Sequence, residues 1–88
     1  MSILAYTIAD KKSLRRFYTE QRAMNANVLA NLKTQVERAL DEDKPFLLYK
    51  IHAVEESQLA INSRLVQLNR ELAQYKKDYP SQYTCSLD

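Results

Sequence analysis

The run Ile61-Asn-Ser-Arg-Leu-Val-Gln-Leu-Asn-Arg-Glu-Leu72 decides the fold. Leu65, Leu68 and Leu72 are spaced by three and four residues, which puts them on one face of a helix. Extended in both directions, this spacing predicts apolar residues at 47, 51, 54, 61, 65, 68, 72, 75 and 79. The chain places Leu47, Ile51, Val54, Ile61, Leu65, Leu68, Leu72, Tyr75 and Tyr79 there, and only Gln58 interrupts the series. A seam of this regularity must be buried against something, and the chain has 88 residues to do it with.

Those 88 residues make one domain at most, and a chain so short buries only roughly 60–65% of its extended surface. Glycine is absent and proline occurs only as Pro45 and Pro80, which argues against the tight hairpins of a small β-sandwich or barrel. The hydrophobic share of 45% suits a folded domain rather than a disordered chain. Cys85 is the single cysteine, so neither an intramolecular disulfide nor a cysteine-built metal site is expected. The run "SILAYTIA" is too short for a spanning helix and lacks the basic region of a signal peptide. The last four residues have the spacing of a prenylation box, which Ser86 and Asp88 suit badly. The expectation is a soluble cytoplasmic protein that does not bind membranes.

The pattern divides the chain into an N-terminal segment (1–9), a helical hairpin (10–79) and a flexible C-terminal tail (80–88). Helix 1 is expected over about 10–40, with Asp10 as its N-cap and Thr7 as an alternative one turn earlier. Its apolar stripe comprises Leu14, Phe17, Tyr18, Met24, Val28, Leu29, Leu32, Val36, Ala39 and Leu40, with Gln21 and Asn25 inside it. The turn falls at 41–45, where Asp41, Glu42 and Asp43 favour the start of a following helix and Pro45 suits its first turn. Helix 2 then runs over about 45–79 and stops at Pro80. A connection this short makes the helices antiparallel neighbours. With the turn near 43, paired residue numbers add to about 86, so that Met24 faces Ile61 and Phe17 faces Leu68.

A lone helix pair buries one stripe on each helix. Helix 2 carries a second apolar line in Leu48, Leu59, Val66 and Ala73, with Leu29 and Leu40 flanking the stripe of helix 1. The fold class is therefore an all-α, coiled-coil-like antiparallel hairpin that completes a four-helix bundle by dimerisation. A different helical protein could supply the missing helices instead. The residues expected to carry the interaction are Leu29, Leu48, Leu59 and Val66. Gln58 and Asn25 fall in neighbouring layers, either as solvated edge residues or as a polar layer that sets register.

Catalytic chemistry finds little support. His52 is the only histidine, and no nucleophile lies beside a base. A phosphate loop built on glycine is excluded by composition. The chain is read as a non-enzyme without cofactors or metals. Charge gives the one further signal: residues 1–24 and 64–80 hold nine basic and four acidic side chains. Lys11, Lys12, Arg15 and Arg16 oppose the dipole of a helix N-terminus, so local helix energetics do not account for them. Together with Lys76, Lys77 and nearby tyrosines they form the alternative reading, a small dimeric regulator that contacts nucleic acid.

Overall fold

The computed structural model describes residues 2–85, and these are helical almost throughout. Helix α1 spans Ile3–Arg38, α2 spans Lys44–Asp78, and a short α3 spans Pro80–Cys85. The two long helices form the expected antiparallel hairpin. Among the described residues no backbone φ is positive. The turn therefore closes without glycine, with the Asp43 N–H donating to the Leu40 carbonyl at 2.9 Å. The Asp43 carbonyl in turn accepts from Leu47 N–H, which starts α2 one residue ahead of Pro45.

Helix α1 starts two turns earlier than its sequence caps suggested. Ser2 is the N-cap: its Oγ accepts from the Ala5 N–H at 3.0 Å, and its carbonyl accepts from Tyr6 N–H at 3.0 Å. Thr7, expected as an alternative cap, instead bonds back through Oγ1 to the Ile3 carbonyl, and Asp10 is an exposed residue inside the helix. The reason is burial. Ala5 and Ile8 are fully enclosed, and a helix beginning at Asp10 would leave them in water.

The expected flexible tail needs a similar correction. Tyr79 breaks the chain ahead of Pro80, and Pro80 then opens α3 from the first helical position. Thr84 Oγ1 bonds to the Pro80 carbonyl at 2.9 Å within that helix. Residues 86–88 of the expected tail lie outside the described residues.

The chain packs as two units. In the three-helix unit, residues 3–19 of α1 meet residues 63–78 of α2 together with α3. Its core is Ala5, Ile8, Leu65, Leu68 and Leu72. In the two-helix unit, Glu20–Asn62, only Leu32 and Ile51 are buried. The seam read from α2 holds in both units, since 47, 51, 54, 58, 61, 65, 68, 72 and 75 are all buried or half-buried. Tyr79 does not follow it, because α2 has ended at Asp78.

The stripe of α1 differs from the expected one. Leu14, Tyr18, Gln21, Asn25, Leu29, Leu32, Val36 and Ala39 turn inward, while Phe17, Met24, Val28 and Leu40 are exposed. Met24 does not face Ile61, nor Phe17 Leu68. The cause is the register. Asn25 Nδ2 donates to Gln58 Oε1 at 3.2 Å, and Gln58 Nε2 donates to the Arg22 carbonyl at 3.0 Å. Asn25 and Gln58 add to 83 rather than 86, because α1 ends at Arg38 and the turn centres near residue 41. The polar pair thus lies inside the hairpin of the two-helix unit, with the Asn25 amide donating to Gln58 and the Gln58 amide donating to the Arg22 carbonyl.

Replacing Gln58 by Leu strands the Asn25 amide, and the expected loss is about 1 kcal/mol in urea unfolding at fixed protein concentration. Asn25→Leu with Gln58→Leu removes both amides and is expected to recover most of that loss. Additive losses in the double variant would contradict the pairing.

Candidate interaction surface

Among the described residues no group of three or more His, Cys, Asp or Glu is arranged to hold a metal ion. Cys85 is exposed on α3. His52 lies on the exposed face of α2, with Nε2 3.5 Å from Glu56 Oε1 one turn on, an ion pair when the ring is protonated. No helix is long and apolar enough to cross a membrane.

The six basic residues expected to form one anion-binding surface do not behave alike. Lys12 is 6% exposed, so it is a core residue of the three-helix unit. Its Nζ donates to the Tyr83 carbonyl at 3.0 Å and lies 4.0 Å from the centre of the Tyr83 ring. A buried ammonium without such partners would be costly, and here α3 supplies both. Lys76 approaches the same ring at 5.9 Å. Ser2 Oγ donates to Gln82 Oε1 at 2.5 Å, a second tie between α1 and α3. Lys11 pairs with Glu71 across the helices. Arg15 is half-buried, while Arg16 and Lys77 are exposed. Lys11 and Lys12 are therefore held by internal contacts, and because α1 begins at Ile3 the four cations lie beyond its first two turns, where the helix dipole costs them little.

A cleft of about 420 Å³ in this unit is lined by Lys11, Glu71, Gln74, Tyr75, Asp78 and Tyr79. Its polar groups answer one another. Gln74 Nε2 donates to Asp78 Oδ2 at 2.6 Å, and the Tyr75 and Tyr79 rings lie 6.5 Å apart.

Exposed apolar side chains are the remaining feature. Leu48 (53% exposed), Leu59 (65%) and Val66 (50%) stand in solvent, as the second line of α2 predicted. Leu29 does not join them, because it belongs to the inward stripe of α1. Val66 falls in the three-helix unit, Leu48 and Leu59 in the two-helix unit. The sequence reading missed Met24 (59%) and Val28 (44%), which it had assigned to the core. Their position follows from helix geometry. Met24 and Val28 immediately precede the inward residues Asn25 and Leu29, whereas Leu48 and Leu59 immediately follow the inward residues Leu47 and Gln58. In an antiparallel pair these offsets point to opposite sides. The two-helix unit thus carries apolar groups on both of its open sides.

With this geometry in place, comparison with protein-family models finds no match, and neither curated proteins nor solved structures show a significant similarity to the chain.

The ion pair makes a pH prediction. The hydrogen bond from Lys11, reinforced by its charge, holds the Glu71 carboxyl below its ordinary pKa of 4.5, although burial pushes the other way. A carboxylate with a depressed folded pKa contributes stability above its unfolded pKa and loses it as pH falls through the folded value. Glu71→Gln is therefore expected to lower the melting temperature at pH 7 and to melt like the unaltered chain once the pH is well below 4. An equal difference at both pH values would contradict the pairing.

Proposed function

We propose that this chain is a non-catalytic helical interaction module, an adaptor, assembly chaperone or small structural subunit, whose partner helices come from a second copy of itself. One observation carries this reading. The two-helix unit buries only Leu32 and Ile51 while Met24, Val28, Phe46, Leu48, Tyr49 and Leu59 stand exposed. Apolar side chains in that proportion favour further helices, as the burial of each is worth about 2 kcal/mol.

Surface area supports association at the expected scale. The chain exposes 6421 Å². A compact monomer of 10.3 kDa exposes about 5,400 Å². The surplus, about 1,000 Å², is comparable with the roughly 800 Å² that each partner buries in an ordinary specific interface. A four-helix bundle from two hairpins would cover surface of that kind. The basic residues give less support to a nucleic-acid reading, since Lys11 and Lys12 are committed to Glu71 and Tyr83.

Sedimentation equilibrium of the purified chain, with far-UV circular dichroism on the same samples, tests the proposal. The expected result is a highly helical dimer whose melting temperature rises with protein concentration. A helical monomer at every accessible concentration would overturn self-association.

A further inference from the structure

The cleft of the three-helix unit carries a charge that its own contacts leave unanswered. Glu71, Gln74, Tyr75 and Asp78 recur at spacings of three and four, so they share one face of α2. Lys11 of α1 and Tyr79, at the break before α3, complete the lining. Its formal charges are thus one ammonium and two carboxylates. Glu71 already holds the Lys11 ammonium. Asp78 receives only the neutral amide of Gln74, and among the described residues no cation pairs with it. The neighbouring lysines serve elsewhere. Lys76 approaches the Tyr83 ring, and Lys77 lies about a third of a turn off this face. Arg64, the next cation on the face, is about 21 Å from Asp78 along the helix axis. Asp78 is also the last residue of α2, where a carboxylate meets the negative end of the helix dipole. Helix energetics therefore do not account for it.

We propose that this cleft binds an organic ammonium group, with the charge on the Asp78 carboxylate and the carbon chain against Tyr75 and Tyr79. The inference stands apart from self-association, since every lining residue belongs to the three-helix unit. The two tyrosine rings, 6.5 Å apart and inclined at 43°, offer apolar surface, and aromatic faces attract a cation. The C-terminal end of α2 adds partial negative charge at the same place. An anion would meet two carboxylates here, and an uncharged apolar guest would desolvate Asp78 without giving it a partner. A volume of about 420 Å³ is at the small end of ligand sites and suits one alkylammonium chain. Such a group could be supplied by a free diamine or by a lysine side chain of a peptide.

Amide NMR of the full chain, titrated with n-butylammonium and separately with butanol as its uncharged counterpart, tests the proposal. The expected result is a saturable shift of Lys11 and of residues 71–79 with butylammonium alone, at a Kd of about 10 mM. Asp78→Asn is expected to weaken binding about fivefold, and Tyr79→Leu about threefold. Diaminobutane and Nα-acetyl-lysine amide, titrated in the same way, distinguish the two sources by which binds more tightly. Butanol shifting the same amides as strongly would overturn the proposal. So would shifts no larger here than at the acidic turn Asp41–Asp43, or unchanged affinity in Asp78→Asn. The comparison of butylammonium with butanol needs no variant, so it decides the matter even where a substitution impairs folding. None of these outcomes bears on self-association.

Discussion

Two antiparallel helices can bury one stripe on each helix and no more. Every other apolar side chain needs a third element or stays in water. This chain meets the constraint differently in its two units. In the three-helix unit α3 is the third element, and Ala5, Ile8, Leu65, Leu68 and Leu72 are buried. In the two-helix unit nothing plays that part, and burial stops at Leu32 and Ile51. The functional reading rests on this difference, because the two-helix unit leaves Met24, Val28, Leu48 and Leu59 exposed around a core of only Leu32 and Ile51.

The contacts that complete the three-helix unit are polar as well as apolar. Helix α3 has only six residues and no buried side chain of its own. A helix so short is not stable alone. It is held by Lys12, whose ammonium uses both the carbonyl and the ring of Tyr83, and by the Ser2–Gln82 hydrogen bond. Ser2 also caps α1. The same few residues therefore set where α1 begins and where the C-terminal helix docks. The Asn25–Gln58 pair does comparable work in the other unit, where it rewards one register with two hydrogen bonds and leaves any slipped register with unpaired amides.

Helix α2 was legible in the sequence because its inward residues alternate spacings of three and four from Leu47 to Tyr75. The pattern was strong enough to locate Gln58 on the seam although it is polar. Helix α1 was less so. Its inward positions run 18, 21, 25, 29, 32 and 36, with two successive spacings of four and amides at 21 and 25. Hydrophobicity alone therefore drew the stripe through Met24 and Val28. Those residues face outward, and periodicity alone cannot distinguish an exposed apolar position from a core one. Lys12 was read as a surface cation, since a lysine's burial depends on a residue 71 positions away. Pro80 was read as a stop, yet the same fixed φ that ends one helix also begins the next. The cap at Ser2 had its own signal, a serine three residues ahead of Ala5 with Ile8 beyond it, and it was outweighed by Asp10.

The central claim is that residues 20–62 are completed by helices from outside the chain, whereas the three-helix unit already encloses a core of its own. Amide hydrogen exchange, followed residue by residue across a dilution series, reads this directly. The account predicts that protection in Glu20–Arg38 and Lys44–Asn62 falls on dilution, while the amides around Ile8, Leu68 and Leu72 keep theirs until the whole chain opens. Protection that is uniform along both helices and independent of concentration would contradict it.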